Sequence, residues 1–273
     1  MSSLQKRGIG LKAYGFVVYF FLYFPLLIVL VFSFSPTKTI VGISGFTLKW
    51  YQELFRDANL LAAFVHTLLI GGAAVGIAIV LGTVGAFFVS RATFPGKSVF
   101  RTLVLLPYIL PGILMGISLL VVVKALGIPL SPLTVLLGHV SFTVPVVMFQ
   151  IMSRIARMGP NYQSAAMDLG ANPLQTFWYV TLPMIRTAMI GAALLAFTVS
   201  FDEIVISYFL TGTWMTLPVY IYGMMRYGLS PKVYAISAII LLLSLALIML
   251  MSRYTGRSAE VYRVRAPKGA PKG

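Results

Sequence analysis

The chain of 273 residues has no cysteine and very few acids. Without cysteine it can form no disulfide bond, hold no iron–sulfur cluster and offer no thiolate for catalysis. Asp and Glu together number 6, and charged residues make up only 10% of the sequence, against about 25% in soluble domains. Apolar residues reach 59% and the mean hydropathy is +0.94, so the composition excludes a water-soluble globular protein.

Basic residues are the one abundant kind of charge, and they carry no sign of nucleic-acid binding. Lys and Arg number 21 and give a net charge of +15. They lie in short segments between apolar runs and near both ends, where such charge orients a membrane protein and contacts lipid. No nucleic-acid partner is therefore predicted. His66 and His139 have no carboxylate at ligand spacing, so no metal site is predicted either.

Runs of about 20 apolar residues recur along the chain and predict an all-α integral membrane protein. The first run follows a basic tail, residues 1–12, but it is too long for a signal peptide and no cleavage site follows it, so we expect it to be retained. A disordered basic tail is predicted over residues 252–273, which leaves 13–251 as a single transmembrane domain. About six spans are predicted, at residues 13–34, 62–88, 103–123, 132–152, 186–207 and 233–251.

Two of these spans contain glycine or proline residues that predict local features of the helices. The second span carries Gly72-x3-Gly76 and also Gly82 and Gly85, small residues that predict close contact between helices. The third carries Pro107 and Pro111, which predict a kink within one span.

Charge also predicts the orientation. With the N-terminus in the cytoplasm, the inner segments hold 15 of the cations and the outer segments hold 6. This is the bias that the positive-inside rule requires, so both termini and the segment between the fourth and fifth spans are predicted to be cytoplasmic.

Residues 163–183 form the longest stretch that cannot lie in a bilayer. The pattern predicts a short helix up to Leu169, a break at Gly170, and a second helix that begins around Pro173 and stops at Pro183. Small and apolar residues facing outward on such a loop indicate a binding surface for another protein. They are Ala165, Ala166, Leu169, Gly170 and Ala171. The alternative is a loop that folds back against its own helix ends.

The same stretch resembles a known family. The string Ser164-Ala165-Ala166-x3-Gly170-x9-Val180-x-Leu182-Pro183 closely resembles the signature E-A-A-x3-G-x9-I-x-L-P of the membrane subunits of bacterial ABC importers. These subunits have the type I fold, like the maltose and methionine permeases, and carry the signature in the cytoplasmic loop before the penultimate helix. The resemblance covers nearly the whole chain and is greatest to the second permease of the spermidine/putrescine subgroup. The stretches that carry this subgroup likeness are FTLKWYQELF, LPYILPGILMGISLL, FDEIVISYFLTG and TLPVYIYGMMRYGLSP.

The resemblance implies that the loop is a coupling helix that docks on an ATP-binding subunit. Ser164 stands where the family has Glu, so an ion pair made by that Glu does not carry over, and Asp168 is the only acid in the loop. The residues implied to form the coupling loop are Ser164, Ala165, Ala166, Asp168, Gly170, Ala171, Leu182 and Pro183.

The resemblance also implies the partners and the location. The partners are a second permease, two ABC ATPase subunits and an extracytoplasmic solute-binding protein, with membrane lipid around the chain in the bacterial inner membrane. The string PGKS at 95–98 lacks the glycine that a phosphate loop needs at position 91, where Arg91 stands. No catalytic residue and no cofactor are therefore expected in this chain, and ATP and Mg would be bound by the ATPase subunits.

Two adjacent acids, Asp202 and Glu203, fall within the predicted fifth span. Ionisable groups inside a membrane are costly and indicate a functional site. Adjacent helical residues point about 100° apart, so only one is expected to face a central pathway. The alternative is a pair near the outer interface that is hydrated or bound to Arg226 or Lys232.

A carboxylate in the pathway favours a cationic solute, in agreement with the polyamine subgroup. Tyr208 and Trp214 could offer aromatic faces to an ammonium group, or they could be ordinary interface aromatics. Other amines, opines and amino-acid-like solutes remain alternatives, and so does a secondary carrier, although no internal repeat supports one.

Overall fold

The structure, a computed structural model, describes residues 3–37, 45–159, 161–226 and 231–264, and the regular elements within them are all helical. This confirms the predicted all-α class. The helices are α1 (Ser3–Phe32), α2 (Lys49–Arg56), α3 (Ala58–Arg91), α4 (Lys97–Ile109), α5 (Gly112–Ala125), α6 (Pro132–Arg157), α7 (Asn161–Asp168), α8 (Pro173–Thr176), a π-helical segment (Phe177–Thr181), α9 (Leu182–Phe201), α10 (Val205–Leu210), α11 (Leu217–Arg226) and α12 (Pro231–Val264).

Four helical stretches in the described residues are long and apolar enough to cross a membrane: Tyr14–Phe32, Ala58–Arg91, Pro132–Arg157 and Pro173–Phe201. Helices α4 and α5 form a further pair that meets at an angle of 100°. The bend lies inside the predicted kinked span over 103–123, and the pair forms either one broken span or a re-entrant loop. Leu110 is extended, with ψ 143°, because the residue before a proline is disfavoured in a helix, and Pro111 follows it.

The described residues up to Asp57 and those from Met224 onward form one compact unit, which contains α1, α2 and α12. Its contacts include the indole N–H of Trp50, which donates to the Ser35 carbonyl at 2.8 Å. Glu53 pairs with Lys49 at 3.8 Å and with Lys232 at 3.0 Å.

Helix α12 continues to Val264, beyond the predicted span that ends at residue 251. The structure thus differs from the disorder predicted over the first part of the tail. No proline interrupts the sequence between Ser252 and Val264, so nothing there forces the helix to end. The rest of the predicted tail, residues 265–273, lies outside the described residues.

Residues 58–223 form the second unit, whose core lies among α3, α6 and α9. Ala78 and Ala86 of α3 are fully buried, and a Cβ added at Gly82 would lie 2.9 Å from Cβ of Val147 on α6. A Cβ added at Gly85 would lie 3.2 Å from Sδ of Met148 on the same helix, so Gly82 and Gly85 lie in a helix contact as predicted. Gly72 and Gly76 have open space around their Cβ positions and take no part in it. The helical period places Ala78 and Gly82 on the buried face and turns the Gly72 pair outward.

Glycines also seat the short helix α10 against its neighbours within this unit. A Cβ at Gly116 of α5 would lie 2.6 Å from Cδ2 of Phe209, and one at Gly138 of α6 would lie 2.7 Å from Cγ2 of Ile206. Real Cβ atoms do not approach so closely, so α10 sits at this distance from α5 and α6 only because both positions lack a side chain.

Candidate functional site

The loop between α6 and α9 turns at Gly170. Its φ is +88°, a left-handed conformation that glycine adopts without strain. The N–H of Gly170 donates to the Met167 carbonyl at 2.9 Å and that of Ala171 donates to the Ala166 carbonyl at 3.0 Å. These two bonds form a Schellman motif, which ends α7. The predicted break therefore lies at the predicted glycine.

Helix α8 then begins with a capping box. The side-chain oxygen of Asn172 accepts from the Gln175 N–H at 2.8 Å, and the side-chain oxygen of Gln175 accepts from the Asn172 N–H at 2.9 Å. Pro173 occupies the first turn, where a missing N–H costs nothing. The loop thus has a defined conformation set by local bonds.

Several of the predicted coupling residues are exposed. Ser164, Ala165 and Asp168 are exposed on α7, whereas Ala166 and Ala171 are half-buried. Larger apolar side chains are exposed beside them, and of these only Leu169 was predicted from the sequence to face outward. Leu169 is 89% exposed, Leu174 68% and Tyr179 79%. Tyr162 and Trp178 are exposed as well. We call these five side chains the apolar loop surface: Tyr162, Leu169, Leu174, Trp178 and Tyr179.

The loop is fixed at its base through Gln163. The amide nitrogen of Gln163 donates to the hydroxyl of Thr181 at 3.0 Å, and its amide oxygen accepts from the Arg91 guanidinium. That guanidinium also lies over the ring of Phe87, 5.7 Å from its centroid, and Phe87 meets Phe177 edge to face at 5.5 Å. The base of the loop is thus bound to the end of α3.

Leu182 and Pro183 do not end a helix as predicted. A continuous helical stretch runs from Pro173 to Phe201, and the segment Phe177–Thr181 within it is π-helical. The N–H of Leu182 bonds to the Phe177 carbonyl, five residues back. This wider turn accommodates Pro183, which has no N–H of its own and would clash with the carbonyl four residues back in a regular α-helix.

The acids Asp202 and Glu203 lie at a break between α9 and α10. Asp202 is the residue that follows the last turn of α9, and α10 begins at Val205. The helix of the predicted fifth span therefore ends before both acids and does not run unbroken to residue 207. At this break the side chains of Asp202 and Glu203 have different surroundings.

Glu203 is half-buried and acts as a helix cap. Its Oε1 accepts from the N–H of Ile206 at 2.9 Å, in the first turn of α10. A Cβ at Gly112, the first residue of α5, would lie 3.8 Å from the same oxygen. The carboxylate thus lies close to the N-terminal ends of two helices, where the partial positive charge of free N–H groups stabilises an anion.

Asp202 differs from its neighbour. Its side chain is exposed, and within residues 58–223 neither acid forms an ion pair with Lys or Arg. Lys232, one of the alternative partners considered from the sequence, pairs with Glu53.

A buried histidine joins the two sides of this break. His139 of α6 is 2% exposed, and its Nδ1 lies 2.6 Å from the hydroxyl oxygen of Ser200 on α9, while its Nε2 lies 2.8 Å from that of Ser207 on α10. Because Ser207 donates its own proton to the Glu203 carbonyl at 2.9 Å, it accepts from Nε2–H, and Nδ1 accepts from Ser200. This role of His139 had no local signal in the sequence, because the two serines lie 61 and 68 residues away.

The two aromatic candidates have different surroundings. Tyr208 is 45% exposed on α10 and meets Tyr222 edge to face at 5.9 Å. Trp214 is half-buried and stacks on the imidazole of His66 at 3.8 Å, whose Nδ1 lies 2.9 Å from the Met215 carbonyl oxygen. Tyr208 therefore lies on α10, which begins at the break, whereas Trp214 packs against His66 of α3. Among the described residues, His, Asp and Glu form no group of three that could hold a metal ion.

Comparison with known proteins gives consistent results. A family model described as "Binding-protein-dependent transport system inner membrane component" matches residues 78–258. The putrescine transport system permease protein PotI of Escherichia coli (strain K12) is 35% identical over 261 residues, which are 93% of this chain and 92% of PotI. The spermidine/putrescine transport system permease protein PotC of Haemophilus influenzae is 33% identical over 248 residues, 90% of this chain and 96% of PotC.

Solved structures show the same fold. A bacterial ABC transporter involved in the import of the acidic polysaccharide alginate superposes with a TM-score of 0.69 at 16% identity, over 94% of this chain and 98% of the other. An amino acid ABC transporter superposes with a TM-score of 0.61 at 19% identity, over 77% and 99% of the two chains. These two likenesses concern the fold and not the solute.

Proposed function

Because this chain belongs to the family of binding-protein-dependent transport system inner membrane components, we propose that it forms one half of the pathway of an ABC importer for a small cationic solute of the putrescine and spermidine kind. The relatives PotI and PotC are polyamine permeases by name. The observation that carries the solute class is the exposed, unpaired carboxylate of Asp202 at a helix break in an apolar protein.

A fixed carboxylate next to a pathway attracts a cation, because the low dielectric around it weakens screening. Glu203 is less accessible to the solute, since it is half-buried and its Oε1 already accepts from the Ile206 N–H. Asp202 is thus the acid that meets the solute, and Glu203 holds the break open. Tyr208, exposed on the adjoining helix, offers a ring face for an ammonium group.

The other half of the pathway comes from a second permease chain. Two ABC ATPase subunits bind ATP and Mg, and a solute-binding protein outside the membrane delivers the solute. The chain is a multi-pass inner-membrane protein, and the charge bias of its loops supports a cytoplasmic location for both termini.

The apolar loop surface, together with the small residues of α7, is the docking site for an ATPase subunit. Leu169 and Tyr179 expose most of their side chains. An apolar patch on a surface in contact with water marks a binding site for another protein. Ser164, where the family has Glu, contributes no charge, so docking depends on apolar contact more than on ion pairing. The Gly170 turn holds α7 and α8 in one fixed arrangement.

A single helical path connects the docking loop to the acid. The 29 residues from Pro173 to Phe201 are helical throughout, which at 1.5 Å per residue gives a length of about 43 Å. Asp202 follows directly. A movement of the ATPase at the loop is thereby transmitted to the pathway, and the π-helical turns at Phe177–Thr181 supply a point where the helix can adjust.

Two alternative functions lead to different experimental expectations. Another amine, an opine or an amino-acid-like solute would use the same subunits and differ only in uptake specificity. A secondary carrier would need neither an ATPase nor the docking surface.

Co-purification tests the assignment. A tagged form of this chain, extracted from the membrane, should bring with it a second permease and an ATPase, and the purified complex should hydrolyse ATP faster when the binding protein and putrescine are added. Retrieval of this chain alone, active in uptake without an ATPase, would support the carrier instead.

A further inference from the structure

A cavity of about 730 Å³ lies among the ends of α3, α4, α6 and α7, within residues 58–223, and it is strongly basic. Four of its lining residues are cations, and no acid lines it. They are Arg91, Lys97, Arg101 and Arg157.

These cations mark the ends of apolar helices. Arg91 is the last residue of α3, Lys97 the first of α4 and Arg157 the last of α6. The ends of apolar membrane helices lie at the depth of the lipid headgroups. The cavity therefore lies where phosphate groups are abundant.

The partners of these cations are neutral. Arg91 donates to the amide oxygen of Gln163, Arg101 lies over the ring of Phe149 at 5.4 Å, and Arg157 donates to the Ser153 carbonyl and hydroxyl at 3.1 and 3.0 Å. None of the four cations forms an ion pair with an acid in the described part of the chain. Like charges around one cavity repel each other, and a bound anion relieves that repulsion.

The apolar residues beside these cations favour a lipid over a soluble anion as the ligand. Phe149, Met152 and Met158 line the cavity beside the cations. Helix α4, which carries Lys97 and Arg101, exposes Val99 (62%) and Leu103 (56%), an apolar surface for acyl chains. A charged headgroup with apolar tails matches both features.

We propose that this cavity binds the phosphate group of an anionic phospholipid, with Arg91, Lys97, Arg101 and Arg157 around the headgroup and the acyl chains along α4. The site is separate from Asp202 and does not depend on which solute is carried. Tyr162 and Gln163 of α7 line the same cavity, and Gln163 bonds to Arg91. A bound phosphate thus holds Arg91 in place and steadies the start of the docking loop.

The test uses the complete purified transporter, stripped of lipid in detergent, with native mass spectrometry as the readout. Phosphatidylglycerol and phosphatidylethanolamine are added separately, and the first should bind more tightly. The double variant Lys97→Gln/Arg101→Gln should bind phosphatidylglycerol roughly 30-fold more weakly, since each cation near the headgroup contributes about a factor of five. The double variant Lys124→Gln/Arg186→Gln, which removes two exposed cations outside the cavity, should stay within about twofold of the unchanged protein.

A conservative variant separates charge from folding. Lys97→Arg/Arg101→Lys keeps both charges and should retain phosphatidylglycerol binding even if the neutral variant is poorly folded. Equal losses in the cavity and control variants, or no loss in either, would overturn the proposal. Full displacement of phosphatidylglycerol by low-millimolar inorganic phosphate would also contradict it, because the site would then take free phosphate.

Discussion

Oε1 of Glu203 accepts a hydrogen bond from the N–H of Ile206 at 2.9 Å, whereas the adjacent Asp202 leaves its carboxylate exposed. Two neighbouring acids thus have separate roles. One caps α10, and the other is the acid that we propose meets the solute.

Neutral isosteres of the two acids should therefore act differently. Asp202→Asn removes the charge that attracts the solute, and we expect putrescine uptake to fall at least tenfold, since a solute–carboxylate contact in a partly desolvated site contributes more than about 1.4 kcal/mol. Glu203→Gln keeps an oxygen that can accept from Ile206, so uptake should stay within about threefold. Radiolabelled uptake in cells with matched membrane levels measures both. Loss in Glu203→Gln with normal uptake in Asp202→Asn would reverse the assignment.

The apolar loop surface should be needed for assembly but not for folding. Leu169→Ser alters a side chain that is 89% exposed, so the fold loses little, but an ATPase contact would lose about 1–2 kcal/mol. We expect less ATPase to co-purify with this variant. Leu126→Ser, at a side chain that is 68% exposed in the turn after α5, is the matched control and should retain the ATPase. Equal retention in both variants would exclude Leu169 from the contact.

Gly170 should control coupling between hydrolysis and transport. Gly170→Val places a β-branched residue at φ +88°, a conformation that costs such a residue about 1–2 kcal/mol, so the turn between α7 and α8 should change. We expect ATP hydrolysis by the complex to lose its stimulation by solute-loaded binding protein. Gly127→Val meets the same restriction at φ +68° with open space around it, but in the turn after α5, and should leave stimulation intact. If both variants behave alike, backbone strain and not the docking loop explains the result.

His139 should contribute to the stability of the helix break. His139→Ala leaves the hydroxyl of Ser200 without its imidazole partner and opens a space among buried groups, at a cost of about 1–3 kcal/mol in the free energy of unfolding. The thermal midpoint of the purified complex should fall by a few degrees. Gln150→Ala, at an exposed position of the same helix, should leave the midpoint within about one degree. An unchanged midpoint in the His139 variant would show that the two bonds do not stabilise the break.

The loop was predictable from the sequence because its conformation is set locally. Gly170 and Pro173 act through backbone preferences within a few residues, and the observed turn and cap follow from them. The π-helical segment was not predictable, since Pro183 usually marks a helix end, and here a change in the bonding pattern accommodates it.

The break at Asp202 had no local signal either. The stretch FDEIV contains neither glycine nor proline, and the break depends on bonds between Glu203 and Ile206 and between His139 and two distant serines. The buried face of α3 was predicted only in part. Gly82 and Gly85 pack against α6 as predicted, but Gly72 and Gly76, which fit the contact motif, have open space beside them. Only the tertiary structure decides which of these glycines meet a neighbouring helix.

The most direct measurement is uptake of labelled putrescine into proteoliposomes that contain the purified complex, with ATP enclosed and binding protein outside. Uptake should require ATP and the ATPase subunits, should be unaffected when ion gradients are collapsed, and should fall at least tenfold with Asp202→Asn. Uptake by this chain without ATPase subunits, driven by an ion gradient and insensitive to Asp202→Asn, would contradict both the importer assignment and the role of the acid.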